Sequence, residues 1–330
     1  MRTNPKIYLA PFQGITGSVY REIYARHFSG IDKFFTPFFT GTSGRKTPAA
    51  KEKELEKTRH HGIPVVPQIL SKDAGEIIDF ANVCREKGFG EINWNLGCPF
   101  PRVAAKQRGS GLLPYPEKAE EILQQVMPAI SLRFSIKCRL GYHRPDEILK
   151  LIPVFNRFPV SELIIHARIG KQVYKGKVWP DDFQRALEQS KIPVIYNGDI
   201  FSLSDFLEMS ERFPEINTWM IGRGILVDPL LPSLIKKEIL PGDPAHLIGK
   251  FIEDLYYAYR KKLNDRLQAI SVMKELWEYM AFSFDDPHKV FKLIKRTNSF
   301  DEYEEAVSGV FRDFQWLGSD GRRFDSASIR

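Results

Sequence analysis

Short apolar runs rich in β-branched and aromatic residues alternate along the chain with longer stretches whose apolar residues recur every three or four positions. The short runs lie at 6–11, 33–39, 63–70, 91–96, 133–140, 162–168, 192–199 and 218–224 and predict strands. The stretches at 74–88, 146–158, 181–190 and 203–213 predict amphipathic helices. Eight strands, each followed by a helix or loop over roughly 240 residues, match the arithmetic of a (β/α)8 TIM barrel. A doubly wound open sheet is the alternative. It usually announces a dinucleotide site with G-x-G-x-x-G after the first strand, and no such hexamer occurs.

After "LPGDPAH" (240–246) the alternation stops, and residues 247–316 read as helices only. The pattern therefore predicts an α/β TIM barrel over 1–242, a small all-helical C-terminal domain over 243–318, and a polar, frayed tail over 319–330.

Composition narrows the class. The chain has 330 residues, 43% apolar and 27% charged, which is ordinary for a globular protein with ample core. No window approaches the roughly 20 apolar residues of a membrane span, and the first residues lack a signal-peptide apolar region. Three widely spaced cysteines, Cys84, Cys98 and Cys138, argue against a disulfide framework or a zinc knuckle and fit a reducing cytoplasm; no metal is expected. The net charge of +7 allows a polyanionic partner. From residue 245 onward Lys+Arg and Asp+Glu balance at 14 each, so the excess lies in the predicted barrel.

In such a barrel the active site gathers at the C-terminal ends of the strands. The residues found there are Pro11, Phe12, Gln13 and Gly14 after strand 1, Gln68 after strand 3, and Asn95 with Cys98 after strand 4. Strand 5 offers Lys137 and Arg139 two apart on the inward face, and strand 6 ends in His166 and Arg168. Strand 7 ends in Asn197, Gly198 and Asp199, and strand 8 in Gly222, Arg223 and Gly224. The loops after strands 7 and 8 are the usual phosphate site of this barrel, where glycines expose backbone N–H groups and Arg223 adds a charged fork. A flat cofactor with a phosphate tail suits that layout, and FMN fits: Gln68 faces its pyrimidine edge and Lys137 holds negative charge on the ring. The competing chemistry, a Schiff-base lysine, leaves Cys98 without a role.

These residues resemble the tRNA-dihydrouridine synthase family of the bacterial type. The resemblance rests on "LAPFQGITGSVYRE", "VVPQI", "NWNLGCP", "GSGLL", "IKCRLG", "IHAR", "YNGDI" and "MIGRG", and continues in "VMKELWEYM" and "VFKLIKRTNSFDE". It implies a barrel with tightly bound FMN, NADPH as transient reductant, and a helical domain that grips tRNA. It also implies reduction of the C5–C6 double bond of a D-loop uridine, with Cys98 as general acid. The uridine must be flipped out of its stack to reach the flavin. Arg139, Arg168, Lys274, Lys289, Lys292, Lys295 and Arg296 are the tRNA contacts expected on this reading, and no stable protein partner is implied. Two positions depart from the family: Met is common where Phe12 stands, and Asp where Gly17 stands. Asp is the better helix N-cap, so the start of the first helix is the element affected.

A flavin-dependent barrel acting on a small molecule, such as a dihydroorotate-dehydrogenase-like enzyme, is the first rival; it leaves the basic helical domain unexplained. A non-catalytic RNA-binding module is the second; it leaves Cys98, Lys137 and the strand 7 and 8 loops unexplained.

Overall fold

In the computed structural model, which describes residues 4–41, 53–56 and 61–319, the eight apolar runs form the staves of a parallel barrel. The strands are β1 (Lys6–Leu9), β2 (Lys33–Phe35), β3 (Val65–Val66), β4 (Gln68–Ile69), β5 (Glu91–Leu96), β6 (Arg133–Gly141), β7 (Val160–Ile169), β8 (Val194–Asn197) and β9 (Thr218–Ile221). β3 and β4 are one stave interrupted at Pro67, which has no N–H to give the ladder. Its carbonyl still accepts from Asn93 at 2.9 Å, so the ring β3-β2-β1-β9-β8-β7-β6-β5-β4 closes through it.

Around the barrel run α1 (Ser18–His27), α2 (Ala74–Glu86), the short α3 (Pro101–Ala104), α4 (Pro116–Val126), α5 (Ile148–Phe155), α6 (Pro180–Gln189), α7 (Leu203–Arg212), α8 (Arg223–Val227) and α9 (Leu231–Ile235). The C-terminal part is α10 (Pro244–Lys262), α11 (Gln268–Met280), α12 (Pro287–Arg296) and α13 (Phe300–Asp313). The expected tail, from residue 320 on, lies outside the described residues. No helix among the described residues is long and apolar enough to cross a membrane.

The period of two along each strand sorts side chains to two environments. Outward residues such as Ile92, Trp94, Leu96, Ile136, Cys138 and Ile165 join the helices in one large core. That core runs on into the C-terminal helices, taking in Phe251, Leu255, Trp277 and Tyr303. Inward residues divide. Tyr8, Ala10, Phe35, Val66, Ile164, Ile195 and Met220 form an apolar plug on one side. On the other side β4, β5 and β6 carry Gln68, Glu91, Asn93, Asn95, Arg133, Ser135, Lys137 and Arg139, all of them buried except exposed Arg133 and partly exposed Lys137. The run "EINWNL" is therefore apolar on its outer face only.

Candidate active site

At the C-terminal end of the barrel a cleft of about 550 Å³ opens, walled by Pro11, Phe12, Gln13, Gln68, Asn95, Cys98, Lys137, Arg139 and His166. A smaller cavity of about 60 Å³ adjoins it, lined by Asn197, Gly198, Asp199, Gly222 and Arg223, and sharing Pro11, Phe12, Lys137 and His166 with the cleft. Residues from β1, β4, β5, β6, β7, β8 and β9, more than two hundred positions apart in sequence, thus meet in one site.

Cys98 sits on the loop leaving β5 and is 6% exposed. Asn95 holds that loop: its Oδ1 accepts from the Gly97 and Cys98 amides, each at 2.9 Å. Arg139 straps the same loop from β6, with Nε donating to the Gly97 carbonyl at 3.0 Å and Nη1 to the Ile169 carbonyl at 2.9 Å. Burial pushes the Cys98 thiol above the ordinary range; the Phe100 amide and the Arg139 and Lys137 charges pull the other way without cancelling it. The thiol is therefore protonated at neutral pH, and cations stand nearby for the thiolate that proton release would leave.

Lys137 reaches the cleft from mid-strand. Burial, with Arg139 as the second cause, lowers its ammonium to about 8. Among the described residues no carboxylate pairs with it. His166 lies on the neighbouring strand, and burial together with Arg139, Lys137, Arg168 and Arg223 pushes it well below its usual range, so the ring is neutral. Asp199 accepts from Arg168 at 2.6 Å and from Arg223 at 2.8 Å. The floor of the site is thus cationic, with its one carboxylate already shared between two guanidiniums.

Glycine makes room there. A Cβ on Gly198, whose φ of 146° also disfavours a side chain, would stand 2.9 Å from Val178. On Gly222 it would stand 2.8 Å from the Phe12 ring. An unpaired buried ammonium, a neutral imidazole, and a glycine-lined cavity beside Arg223 fit a ring compound with an anionic tail.

Five of the expected contact residues already have partners inside the protein. The Arg168 side chain is wholly buried and bonds Asp199 and the Gly176 carbonyl. Arg139 is likewise buried, 1% exposed, and committed to two carbonyls. Asp199 bridges the Arg168 and Arg223 guanidiniums. Asn95 uses both ends of its amide inside the protein, to cap the Cys98 loop and to reach Gln68 at 2.6 Å. Lys274 is half-buried on α11 and donates to the Thr297 carbonyl at the end of α12. By contrast Lys289, Lys292, Lys295 and Arg296 all project from α12 as exposed groups.

Several wall residues have no counterpart in the sequence reading. Tyr174, on the loop after β7, lines both cavities, stacks on Phe12 with centroids 6.4 Å apart, and lies against the Arg139 and Arg223 guanidiniums. Phe100, two residues past Cys98, is 54% exposed at the mouth. Glu275, Glu278 and Tyr279 reach the mouth from α11, so the helical part completes the cleft. An exposed aromatic flanking "GCP" was a visible signal for Phe100. The α11 residues fall within the stretch "VMKELWEYM", but no local pattern assigns them to the cleft, because their approach depends on how the helices dock.

A family model described as Dihydrouridine synthase (Dus) matches residues 8–309. tRNA-dihydrouridine synthase B of Pasteurella multocida is 29% identical over 267 residues, covering 77% of this chain and 78% of that protein. tRNA-dihydrouridine(16) synthase of Neisseria meningitidis serogroup A is 27% identical over 323 residues, covering 93% of this chain and 96% of its own. Among solved structures morphinone reductase superposes with a TM-score of 0.51 at 11% identity, over 74% of this chain and 93% of its own, a likeness of fold alone.

Proposed function

The chain belongs to the dihydrouridine synthase family, flavin-dependent oxidoreductases, and from that premise we propose that it reduces the C5–C6 double bond of a uridine in the tRNA D-loop. Its flavin is FMN, NADPH is the reductant, and Cys98 is the acid. One observation carries the reading. The protonated Cys98 thiol and the uncompensated Lys137 ammonium stand on walls of a single cleft, whose floor opens into a glycine-lined cationic cavity.

Lys137, His166, Gln68 and the Pro11–Gln13 backbone would hold the ring. Gly198, Gly222 and Arg223 would hold the phosphate, and Asn197, whose Nδ2 donates to the Met220 carbonyl, keeps β8 and β9 together beneath them. The chemistry that FMN supplies is the hydride for C6, renewed from NADPH. The proton for C5 comes from Cys98 Sγ, which burial keeps loaded at neutral pH. Once the proton has gone, Arg139 and Lys137 stabilise the thiolate. Cys84 and Cys138 take no part: burial pushes Cys138 up to about 12 and Cys84 higher still, and both lie outside the cleft in the main core.

The test uses the holoprotein and its Cys98→Ala variant. The wild type is expected to be yellow, to be bleached by NADPH, and to form dihydrouridine in unmodified tRNA. The variant is expected to keep the colour and the bleaching and to lose dihydrouridine by about a hundredfold or more. A variant with undiminished product would remove Cys98 from the mechanism.

A further inference from the structure

Asn93 and Ser135 line neither cavity and are 0% exposed, yet both are polar and both face the barrel interior. Parallel register sets Gln68 opposite Asn93 and Asn93 opposite Ser135, one row across three staves. Through that row runs an unbroken line of side-chain hydrogen bonds. Ser135 Oγ donates to Glu91 Oε1 at 2.8 Å, and Asn93 Nδ2 donates to Ser135 Oγ at 3.0 Å. Gln68 Nε2 donates to Asn93 Oδ1 at 2.8 Å, and Asn95 Nδ2 donates to Gln68 Oε1 at 2.6 Å. Asn95 Oδ1 then receives the Gly97 and Cys98 amides.

Both ends of this line allow one polarity only. Glu91 is a carboxylate held by Lys33 at 3.2 Å and Arg133 at 3.1 Å, so it accepts from Ser135. The second neighbour within reach of the Ser135 hydroxyl, the Ile92 carbonyl at 3.4 Å, is also an acceptor. The hydroxyl hydrogen is therefore spent, and Ser135 Oγ can only accept from Asn93. At the far end backbone N–H groups can only donate. Every amide between them must then point the same way: one flipped amide would set oxygen against oxygen and nitrogen against nitrogen. The other half of the same interior is filled by Tyr8, Phe35, Val66, Ile164, Ile195 and Met220, so an apolar filling is compatible with the barrel. A buried polar row in its place imposes direction, which packing alone does not.

We propose that Asn93 and Ser135 are positioning residues that set the amide orientation of Gln68 and Asn95, and through Asn95 hold the Cys98 loop in place. That the held thiol serves as proton donor rests on the function proposed above; that it is held does not. The test therefore uses the full-length flavin-free protein without tRNA. The Cys98 peptide is followed by mass spectrometry during iodoacetamide alkylation across pH, with the fully buried Cys84 and Cys138 as internal standards. Ser135→Ala removes the acceptor for Asn93. Asn93→Asp keeps the volume but faces Ser135 Oγ with an acceptor. Each is expected to accelerate Cys98 alkylation by about fivefold or more and to move the midpoint of its pH profile downward, because a loosened loop lets water reach the thiol. Ser135→Thr keeps the hydroxyl and is expected within about twofold of wild type. Superimposable profiles for wild type, Ser135→Ala and Asn93→Asp would overturn the proposal, as would a Ser135→Thr profile displaced as far as that of Ser135→Ala. A wild-type measurement stands behind these should the variants not fold: hydrogen exchange at the Gly97 and Cys98 amides is expected to be slow. Exchange at the rate of an unstructured peptide would overturn the proposal by itself. Failure to find dihydrouridine in tRNA would remove the proposed function and leave these outcomes unchanged.

Discussion

Lys137 carries its charge at a cost to the fold. Its ammonium is lowered to about 8 in the fold, against an ordinary value of 10.5. The unfolded chain therefore holds this proton more tightly, and the group's contribution to stability rises with pH from about 8 to about 10.5. At neutral pH the buried charge destabilises the flavin-free protein. Lys137→Met is accordingly expected to raise flavin-free stability at pH 7 by about 1–3 kcal/mol, measured by chemical denaturation, while weakening FMN binding by tenfold or more. In the wild type FMN binding is expected to weaken as pH rises through about 8, and in Lys137→Met to lose that dependence. A titration of flavin fluorescence at several pH values reads both. The inward direction of Lys137 was legible from the alternation in "FSIKCRL". The role of Arg168 was not, although it alternates equally well, because its partner Asp199 lies 31 residues on, in the loop after another stave.

At the scale of the element, the start of α1 solves the missing cap in an unforeseen way. Gly17 is the N-cap and has no side chain to receive the first amides. Glu54, from the segment 53–56, does so instead: its Oε1 accepts from Ser18 N at 2.9 Å and Ser18 Oγ at 3.0 Å, while Oε2 pairs with buried Arg21 at 3.0 Å. Burial raises this carboxyl, but Arg21, Ser18 and Lys262 together outweigh it and hold it below the usual range. Its contribution is therefore present above the ordinary carboxylate pKa and lost as pH falls through the lower folded value. Glu54→Ala is expected to cost about 2–4 kcal/mol, since it removes a cap and leaves Arg21 unpaired. A Cβ on Gly17 would lie 3.0 Å from Glu54 Oε1, so Gly17→Asp alone sets two carboxylates together and should destabilise. In the Glu54→Ala background the same substitution should restore about 1 kcal/mol. Thermal denaturation of the four proteins closes this cycle, and purely additive effects would show that Glu54 does not replace the cap. The sequence marked position 17 as deficient; a supplier 37 residues away could be found only by folding the chain.

One hydrophobic core runs through the barrel and the C-terminal helices of the described residues, although the sequence changes character at residue 240. Phe251 of α10 packs on Tyr20 and Tyr24 of α1 and on Phe28 just past its end, and Tyr259 donates to the Ile15 carbonyl at 3.1 Å. Ser283 donates to the Val227 carbonyl at 2.8 Å, and His27 meets Asp254 at 2.8 Å. A truncation ending at Pro241 would uncover these aromatic faces and is expected to be insoluble or to bind a hydrophobic dye strongly. The tRNA question is better put to α12. Lys292 and Lys295 are exposed and are not part of the cleft lining, so their replacement by Ala is expected to leave NADPH-driven flavin reduction unchanged. It should weaken tRNA binding and flatten the slope of log K against log salt by about one to two units. Unaltered affinity and slope would place the tRNA elsewhere.

Local pattern alone determined the eight staves, the face each strand residue shows, and the change to helices after residue 240. Those properties follow from periods of 2 and 3.6 that neighbouring residues impose on one another. The same pattern placed Cys98, Lys137, Gln68 and Arg223 at the C-terminal end of the barrel, where they line the cavities, because strand ends are read directly from strands. Tertiary structure decided which inward groups meet. Gln68, Asn93 and Ser135 belong to three staves, and only the register between those staves turns two isolated amides and a hydroxyl into one directed row. It likewise decided that Arg139 and Arg168 spend their charge inside the protein and that α11 brings Glu275, Glu278 and Tyr279 to the mouth. A hydrogen bond or ion pair depends on ångström distances between segments far apart in the chain, and no periodicity within either segment encodes that separation.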